Sequence, residues 1–523
     1  MKKLWKKSVA GVLAVFTIAG SILTGCGGTT SESQDQESAK SQTENELESN
    51  ISSSSEPDEV VFRFANYGPT ITDLQTVEDA MNKILIPKIN CKIKLDPVDG
   101  SNYNNQMNLD LSSGTRIDLA MTAGSYNTAI AQNQIQDITE LLEEYGKEAK
   151  ENVGEKYLKG VTVNGKIYGL PNVNGRASVI QFAARTDILE KYNLSLDGIK
   201  QVATWEEQNE NLNIISEILK TVKENEPDIV PLIADQVGNV RVDELISKNG
   251  LSDDLGVLLG KDSTEVVNYY ATEEFKECTY LLRDWYNLGY IMKDVSTTTE
   301  SASSLLASGI GFSVFTNSEI GYDAQLKNST GYDFTCVKMS LPLVTSVNGI
   351  TYSVPVTAAN PVASVKVLNE LYSNPDIATL LTYGVQDIHY VLTEDGKAAY
   401  PEGVDANTST YSHSNFWALP NQLIALEMEG TVTDYNKILK ENNETADVSK
   451  VLGFTFDNSN VQTETAACTA VVDEYKKGLK CGSIDVDKNL PEFLQKLKDA
   501  GIDTIIAEKQ KQLDQWLKDN GVQ

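Results

Sequence analysis

Covalent catalysis needs side chains that attack, shuttle protons or hold a metal, and the 523-residue sequence supplies few of them in recognisable order. It has no G-x-S-x-G elbow, no G-x-x-x-x-G-K-S/T phosphate loop, no H-E-x-x-H helix and no C-x-x-C pair. Gly309-Ile310-Gly311 lacks the third glycine of a dinucleotide fingerprint. With His389 and His413 as its only histidines, the chain has little material for a triad or a His-rich metal site. Neither a cofactor nor a metal is expected. Glycoside hydrolysis needs only two carboxylates at a fixed separation, and among 74 acidic residues no pair stands out.

Composition narrows the setting. Hydrophobic residues are 41% and charged residues 23%, as in an ordinary soluble protein with room for two or three domains. Asp plus Glu outnumber Lys plus Arg by 74 to 44, a net charge of -30. Nucleic acid is therefore a poor partner, because such a charge repels phosphate backbones.

The elements that must hold any site begin after residue 58. Val60–Ala65 is a β-prone run, and Leu74, Val77, Met81, Ile84 and Leu85 form a helical stripe. Cys91–Leu95 alternates as a strand, Asn102–Ser112 reads as a helix, and Ile117–Met121 as a further strand. Strands alternating with helices predict a parallel sheet covered by helices. Asn164-Gly165 between two β-prone arms predicts a hairpin, and Thr204-Trp205-Glu206-Glu207 a capping box opening a helix to about Glu224. Thr272 starts another helix with Phe275, Leu282 and Trp285 along it. The last 60 residues carry apolar stripes at helical spacing, from Phe493 to Leu517, and predict a helical cluster packed on the body.

The N-terminus reads as an address. MKKLWKK precedes a short apolar run over Ser8–Leu23, the pattern of a secretory signal. It ends in Leu23-Thr24-Gly25-Cys26, which resembles the lipobox of bacterial lipoproteins, so Cys26 is expected to carry a lipid anchor. Residues 27–57 have only Ala39, Leu47 and Ile51 as apolar side chains besides glycine and proline, and read as a flexible tether. Without the first 25 residues, which hold four lysines and no acid, 40 basic residues face 74 acidic ones, a balance of -34. Of the other five cysteines, Cys468 and Cys481 are near enough in sequence to bridge, but isolated buried thiols are the expected state.

Stretches over nearly all of residues 59–523 resemble the family 1 extracellular solute-binding proteins, the lipid-anchored receptors of bacterial ABC importers. The chain is most similar to the larger carbohydrate-associated subgroup with a C-terminal domain of unknown function. The resemblance lies in Tyr103–Leu109 with Ser113-Gly114, in VTVNGKIYGLP from Val161 to Pro171, in Thr204-Trp205-Glu206 and in Lys223–Pro227. It continues through Tyr383–Tyr390, Leu452–Asp457 and AGIDTIIAEKQKQLDQW from Ala500 to Trp516. It implies an α/β, two-lobe, type 2 periplasmic-binding-protein-like fold with hinge crossings, a helical C-terminal extension and a solute held in the interlobe cleft. Crossings are expected near Pro171, Ser304 and Leu341. The domains follow: 1–25 signal peptide, 26–58 anchored linker, 59–172 with 305–340 the first lobe, 173–304 with 341–450 the second, and 451–523 the C-terminal helices.

Ligands in open α/β sheets sit beyond the carboxyl ends of strands, which nominates Asn66 and Tyr67, then Ser125 and Tyr126. Sugars need flat apolar faces for their C–H surfaces and planar polar groups for paired hydroxyls. Trp417, in a polar stretch without helical repeat, and Arg176, which follows Asn172 and Asn174, meet those needs. Each has a plainer reading, as a turn residue, a core aromatic or a surface ion pair. Trp205 and Trp285 are read as core and His389 as structural. The expectation is a monomeric, non-enzymatic receptor on the extracellular face of the cell membrane, attached through its lipid alone. It captures a carbohydrate and delivers it to ABC permease subunits. A receptor for a peptide or other polar solute, a surface glycosidase and a purely structural lipoprotein stay open beside it.

Overall fold

The computed structural model describes residues 56–523 except 177–178, 235–237, 252, 299, 319, 406–407, 412–415 and 523. The expected signal peptide, Cys26, the tether up to residue 55 and His413 lie outside the described residues.

The described residues hold two larger sheets, of five and four strands, each with its own core. The first is built from β1 (Asp58–Asn66), α1 (Leu74–Ile89), β2 (Cys91–Asp99), α2 (Tyr103–Ser112), β3 (Leu119–Ala123) and β4 (Gly169–Pro171). In β1 the residues from Phe62 onward are all buried, as a strand covered on both faces requires. The one charge in that run, Arg63, is held by Asp96 at 2.7 Å and by Asp110, so burial leaves no cation unpaired. β1 lies between β2 and β3, parallel to both.

The chain then enters the second sheet through β5 (Val179–Arg185), α3 (Trp205–Asn225), β6 (Val230–Ile233), α4 (Glu273–Asn287), β7 (Gly311–Ser318) and β8 (Phe334–Lys338). Its strand order is β8-β5-β7-β6, with β7 parallel to β6 and antiparallel to β5. Local signals place these elements as expected. Thr204 and Glu207 form the capping box of α3, Thr272 caps α4, and Asn164 and Gly165 adopt φ of 52° and 75° in the hairpin turn. Trp205 and Trp285 are buried in this second core.

After β9 (Leu343–Val344) the chain returns to the first sheet as β10 (Ile350–Ser353), antiparallel to both β3 and β4, giving the order β2-β1-β3-β10-β4. Helices α5 (Pro361–Ser373) and α6 (Pro375–Tyr383) pack in the first core. A third passage runs from α7 (Tyr435–Thr445) through β11 (Asp447–Val448), which pairs in parallel with β9. The C-terminal helices α8 (Gln462–Lys480), α9 (Val486–Ala500) and α10 (Ile502–Asp519) follow. Cys468, Phe493 and Ile505 from them belong to the same apolar cluster as Phe182, Phe315 and Trp285.

Two expected boundaries are corrected. Residues 305–340 belong with the second sheet, because β7 and β8 both pair with β5. Most of 341–450 belongs with the first, because β10 pairs with β3 and β4. The crossing expected near Ser304 is not one, since Leu305 and Leu306 pack with Val314 and Phe334 of the second sheet. The described passages between sheets are 172–176, 339–349 and 443–451. Cys91, Cys278, Cys336, Cys468 and Cys481 are all free thiols, and burial pushes Cys336 up to about 12 and Cys91 and Cys468 to about 11.

Candidate functional site

Where the first passage leaves β4, the chain is stitched to a distant loop. Val173 N–H donates to the Pro420 carbonyl and Gln422 N–H to the Val173 carbonyl, both at 2.8 Å. The side-chain amides of Asn172 and Asn174 donate to the carbonyl of Trp417 at 2.6 and 3.1 Å. Tyr352 Oη on β10 donates to the Ala418 carbonyl. The Trp417-Ala418 backbone is thus fixed by donors from two other segments.

Its side chain is not consumed by that fixation. Trp417 is 48% exposed, and its ring lies 5.4 Å, centroid to centroid, from that of Tyr67, which is 44% exposed. Tyr67 follows the carboxyl end of β1 and lies against Gly100, where a Cβ would run into the ring. Burial raises the Tyr67 phenol, so it is a neutral donor at physiological pH. Two large aromatics left half in water, their planes inclined at 37°, present apolar faces of the kind that receive sugar C–H groups.

Arg176 extends from the same passage. Its guanidinium lies 4.1 Å from the Tyr157 ring centroid and donates to the Asn172 carbonyl. Its backbone N–H donates to Asn443 Oδ1 at 2.7 Å, and Asn443 Nδ2 returns to the Asn174 carbonyl at 2.6 Å. Burial pushes Arg176 down to about 10, which leaves it cationic at neutral pH. The surface ion pair weighed for it is replaced by stacking on a tyrosine. Asn443 joins the first and third passages, and sequence reading missed it because its partners are remote in the chain.

Three nominated residues have other employment. Tyr126 is 1% exposed, and its hydroxyl donates to the Val161 carbonyl at 2.7 Å and accepts from Tyr168 N–H at 3.1 Å, so it braces the hairpin region and reaches no ligand. Asn66 is buried and closes its own turn, donating to the Pro69 carbonyl at 2.8 Å and accepting from Gly68 N–H. Asn172 is buried and serves the Trp417 backbone. Ser125, half-buried, stands at the start of the short helix Tyr126–Ala131 without capping it through its side chain. His389 is buried, with Nδ1 accepting from Val385 N–H at 2.9 Å and Nε2 facing Asp73 at 3.1 Å.

A cavity of about 510 Å³ opens beside the passages, lined by Val179, Ser340, Leu343 and Asp447 and by Thr204 and Lys248 of the second lobe. Since the second and third passages both contribute to its wall, its shape is tied to any rotation of one lobe against the other.

Comparison with known proteins follows this geometry. A carbohydrate ABC transporter substrate-binding protein of Streptococcus pneumoniae serotype 4 (strain ATCC BAA-334 / TIGR4) is 28% identical over 480 residues, covering 88% of this chain and 92% of the relative. The crystal structure of the N-glycan transport solute binding protein (NgtS) from Streptococcus pneumoniae superposes with a TM-score of 0.74 at 26% identity, over 88% of this chain and 100% of that one. The same protein in complex with Man5GlcNAc superposes with a TM-score of 0.64, over 88% of this chain and 99% of that one, again at 26% identity. The model of a domain of unknown function (DUF3502) matches residues 450–518, the segment of the C-terminal helices. The model of the bacterial extracellular solute-binding proteins matches residues 76–377, which is more than half of the chain and includes the second sheet and every strand of the first but β1. The chain therefore belongs to the bacterial extracellular solute-binding protein family.

Proposed function

We propose that this protein is the substrate-binding component of a carbohydrate ABC importer, that it holds an oligosaccharide between its lobes, and that it passes the sugar unchanged to the permease. The observation that carries the reading is the exposed aromatic pair Tyr67 and Trp417 on a backbone pinned by Asn172 and Asn174. Rigid aromatic faces lose little entropy when a sugar ring settles on them, and neutral phenol and amide donors can complement its hydroxyls.

Binding by both lobes would favour the closed arrangement through contacts that only that arrangement completes. The NgtS structures support this. The one described without a glycan aligns with a TM-score of 0.74, and those with Man5GlcNAc and Man1GlcNAc with 0.64 and 0.66. By this measure the chain aligns better with the structure whose name gives no glycan.

In this reading Cys26 carries the lipid that keeps the receptor at the extracellular face of the membrane, and the monomer is the working unit. Replacing Cys26 with Ala should release the protein from the membrane, and full retention would remove the anchor from the account.

The test of function is thermal unfolding of the full chain against mannose- and N-acetylglucosamine-containing oligosaccharides, with peptides and amino acids as controls. A ligand at ~100 times its Kd adds about 2.7 kcal/mol of stability. A shift with one oligosaccharide class, recovered intact, supports the proposal. A response to peptides alone overturns the substrate class, and a shortened sugar would make the protein a glycosidase.

A further inference from the structure

A second cavity, of about 450 Å³, lies at the seam between the second lobe and the C-terminal helices. One face of α8 forms a wall, with Thr465, Thr469, Val472, Asp473 and Lys476 spaced at i, i+4, i+7, i+8 and i+11. Gly250, Asp253, Asp254, Leu255 and Tyr270 complete the lining.

Tyr270 is 1% exposed, its ring packed against Tyr269, Phe275 and Phe493, yet its hydroxyl has no hydrogen-bond partner among the described residues. The buried hydroxyl of Thr465, on α8, has none either. Each such orphan costs stability unless something in the cavity meets it, and two in the lining of one cavity point to a hydrogen-bonding occupant.

The charges define that occupant. Asp253 is paired with Lys509 at 2.6 Å, Asp254 with Lys248 at 2.6 Å and Lys476 at 3.4 Å, and Asp473 is exposed to water at the rim, so none of the three offers a buried bare carboxylate to an ammonium ligand. Three carboxylates in the lining oppose a phosphate or another anion. What remains is a neutral molecule with several hydroxyls, paired to hydroxyl and carboxylate oxygens, with Leu255 and Val472 beneath its C–H groups. We propose that this seam is a second ligand site, separate from the interlobe cleft, for a neutral polyhydroxyl compound of monosaccharide size.

The test is saturation-transfer NMR on the full chain with glucose, mannose and N-acetylglucosamine as probes. Trp417→Ala disables the cleft surface, Tyr270→Phe removes one orphan hydroxyl without changing shape, and Thr469→Trp fills the cavity from an exposed helix position. Saturation transfer should persist in the wild type and in Trp417→Ala. It should require about three- to tenfold more sugar in Tyr270→Phe, the worth of one neutral hydrogen bond, and vanish in Thr469→Trp. Loss of transfer in Trp417→Ala would place all binding in the cleft and overturn the proposal. Transfer unaltered by both seam variants, or absent with every probe, would also overturn it.

Discussion

The side-chain amide of Asn172 donates to the main-chain carbonyl of Trp417 at 2.6 Å, joining the first interlobe passage to the loop that carries the exposed indole. The bond couples the position of the proposed binding surface to the segment that, in this reading, bends when the lobes move. Asn172→Ala should cost about 1 to 3 kcal/mol of stability, because it removes a donor from a largely buried site, and should weaken sugar binding as Trp417 loosens. Chemical denaturation and calorimetry on the same variant would show both effects. Loss of neither would mean that the passage holds Trp417 by other means.

Trp417→Ala separates binding from stability. The indole is 48% exposed, so its removal should change unfolding free energy by no more than about 0.5 kcal/mol while weakening oligosaccharide affinity by about tenfold or more. Tyr67→Ala should act in the same direction with a smaller effect. Unchanged affinity in both variants would take the pair out of the site.

Gly100→Ala acts on Tyr67 at one remove. An added methyl would overlap the Tyr67 ring and push it from its place beside Trp417. We expect an affinity loss close to that of Tyr67→Ala, measured by the same titration, and a wild-type Kd would show that the ring's position is not used.

How far the sequence led differs between local and remote features. The capping box at Thr204 and Glu207, the Asn164-Gly165 hairpin and the cap at Thr272 were legible because a few consecutive residues determine each one. The exposure of Trp417 has a related local cause, since an aromatic in a polar stretch without helical repeat has no core to enter. Tyr126 was misread because its hydroxyl partners, Val161 and Tyr168, are tens of residues away and set by the fold. Strand β7 was assigned to the wrong lobe on the same ground. Periodicity marks a strand, but which neighbour it pairs with depends on how the chain returns.

The C-terminal helices are held to the second lobe by ion pairs as well as by apolar packing. Lys509 is fully buried, 2.6 Å from Asp253 and bonded to the Gly256 carbonyl at 3.1 Å. Lys509→Met should destabilise the protein by about 2 to 4 kcal/mol, less than the cost of breaking a wholly buried pair, because Asp253 is 30% exposed and can recover some hydration. Denaturant unfolding would measure it, and a neutral result would mean that the apolar contacts alone hold the helices.

The same seam gives stability a pH dependence at both ends. Burial works to raise Asp254, but the charges of Lys248, Lys476 and Lys480 outweigh it and hold the carboxyl below its ordinary 3.8. Its contribution is present above that value and is lost as pH falls through the lower folded one. Burial works to lower Lys480, but Asp243 at 3.0 Å outweighs it and raises the amine above 10.5. That contribution is complete below 10.5 and is lost as pH rises through the higher folded value. Thermal unfolding from pH 2 to 12 should therefore fall at both extremes, and Asp254→Asn should flatten the acid limb. An acid limb identical to wild type would remove Asp254 from this account.

The most direct measurement is calorimetric titration of the full chain with Man5GlcNAc, followed by mass analysis of the recovered sugar. Saturable one-to-one binding in the cleft, weakened by Trp417→Ala, with the glycan returned at its original mass, is the expected result. No heat with this or any other oligosaccharide, or a glycan returned shorter than it went in, would contradict a sugar receptor built on Tyr67 and Trp417.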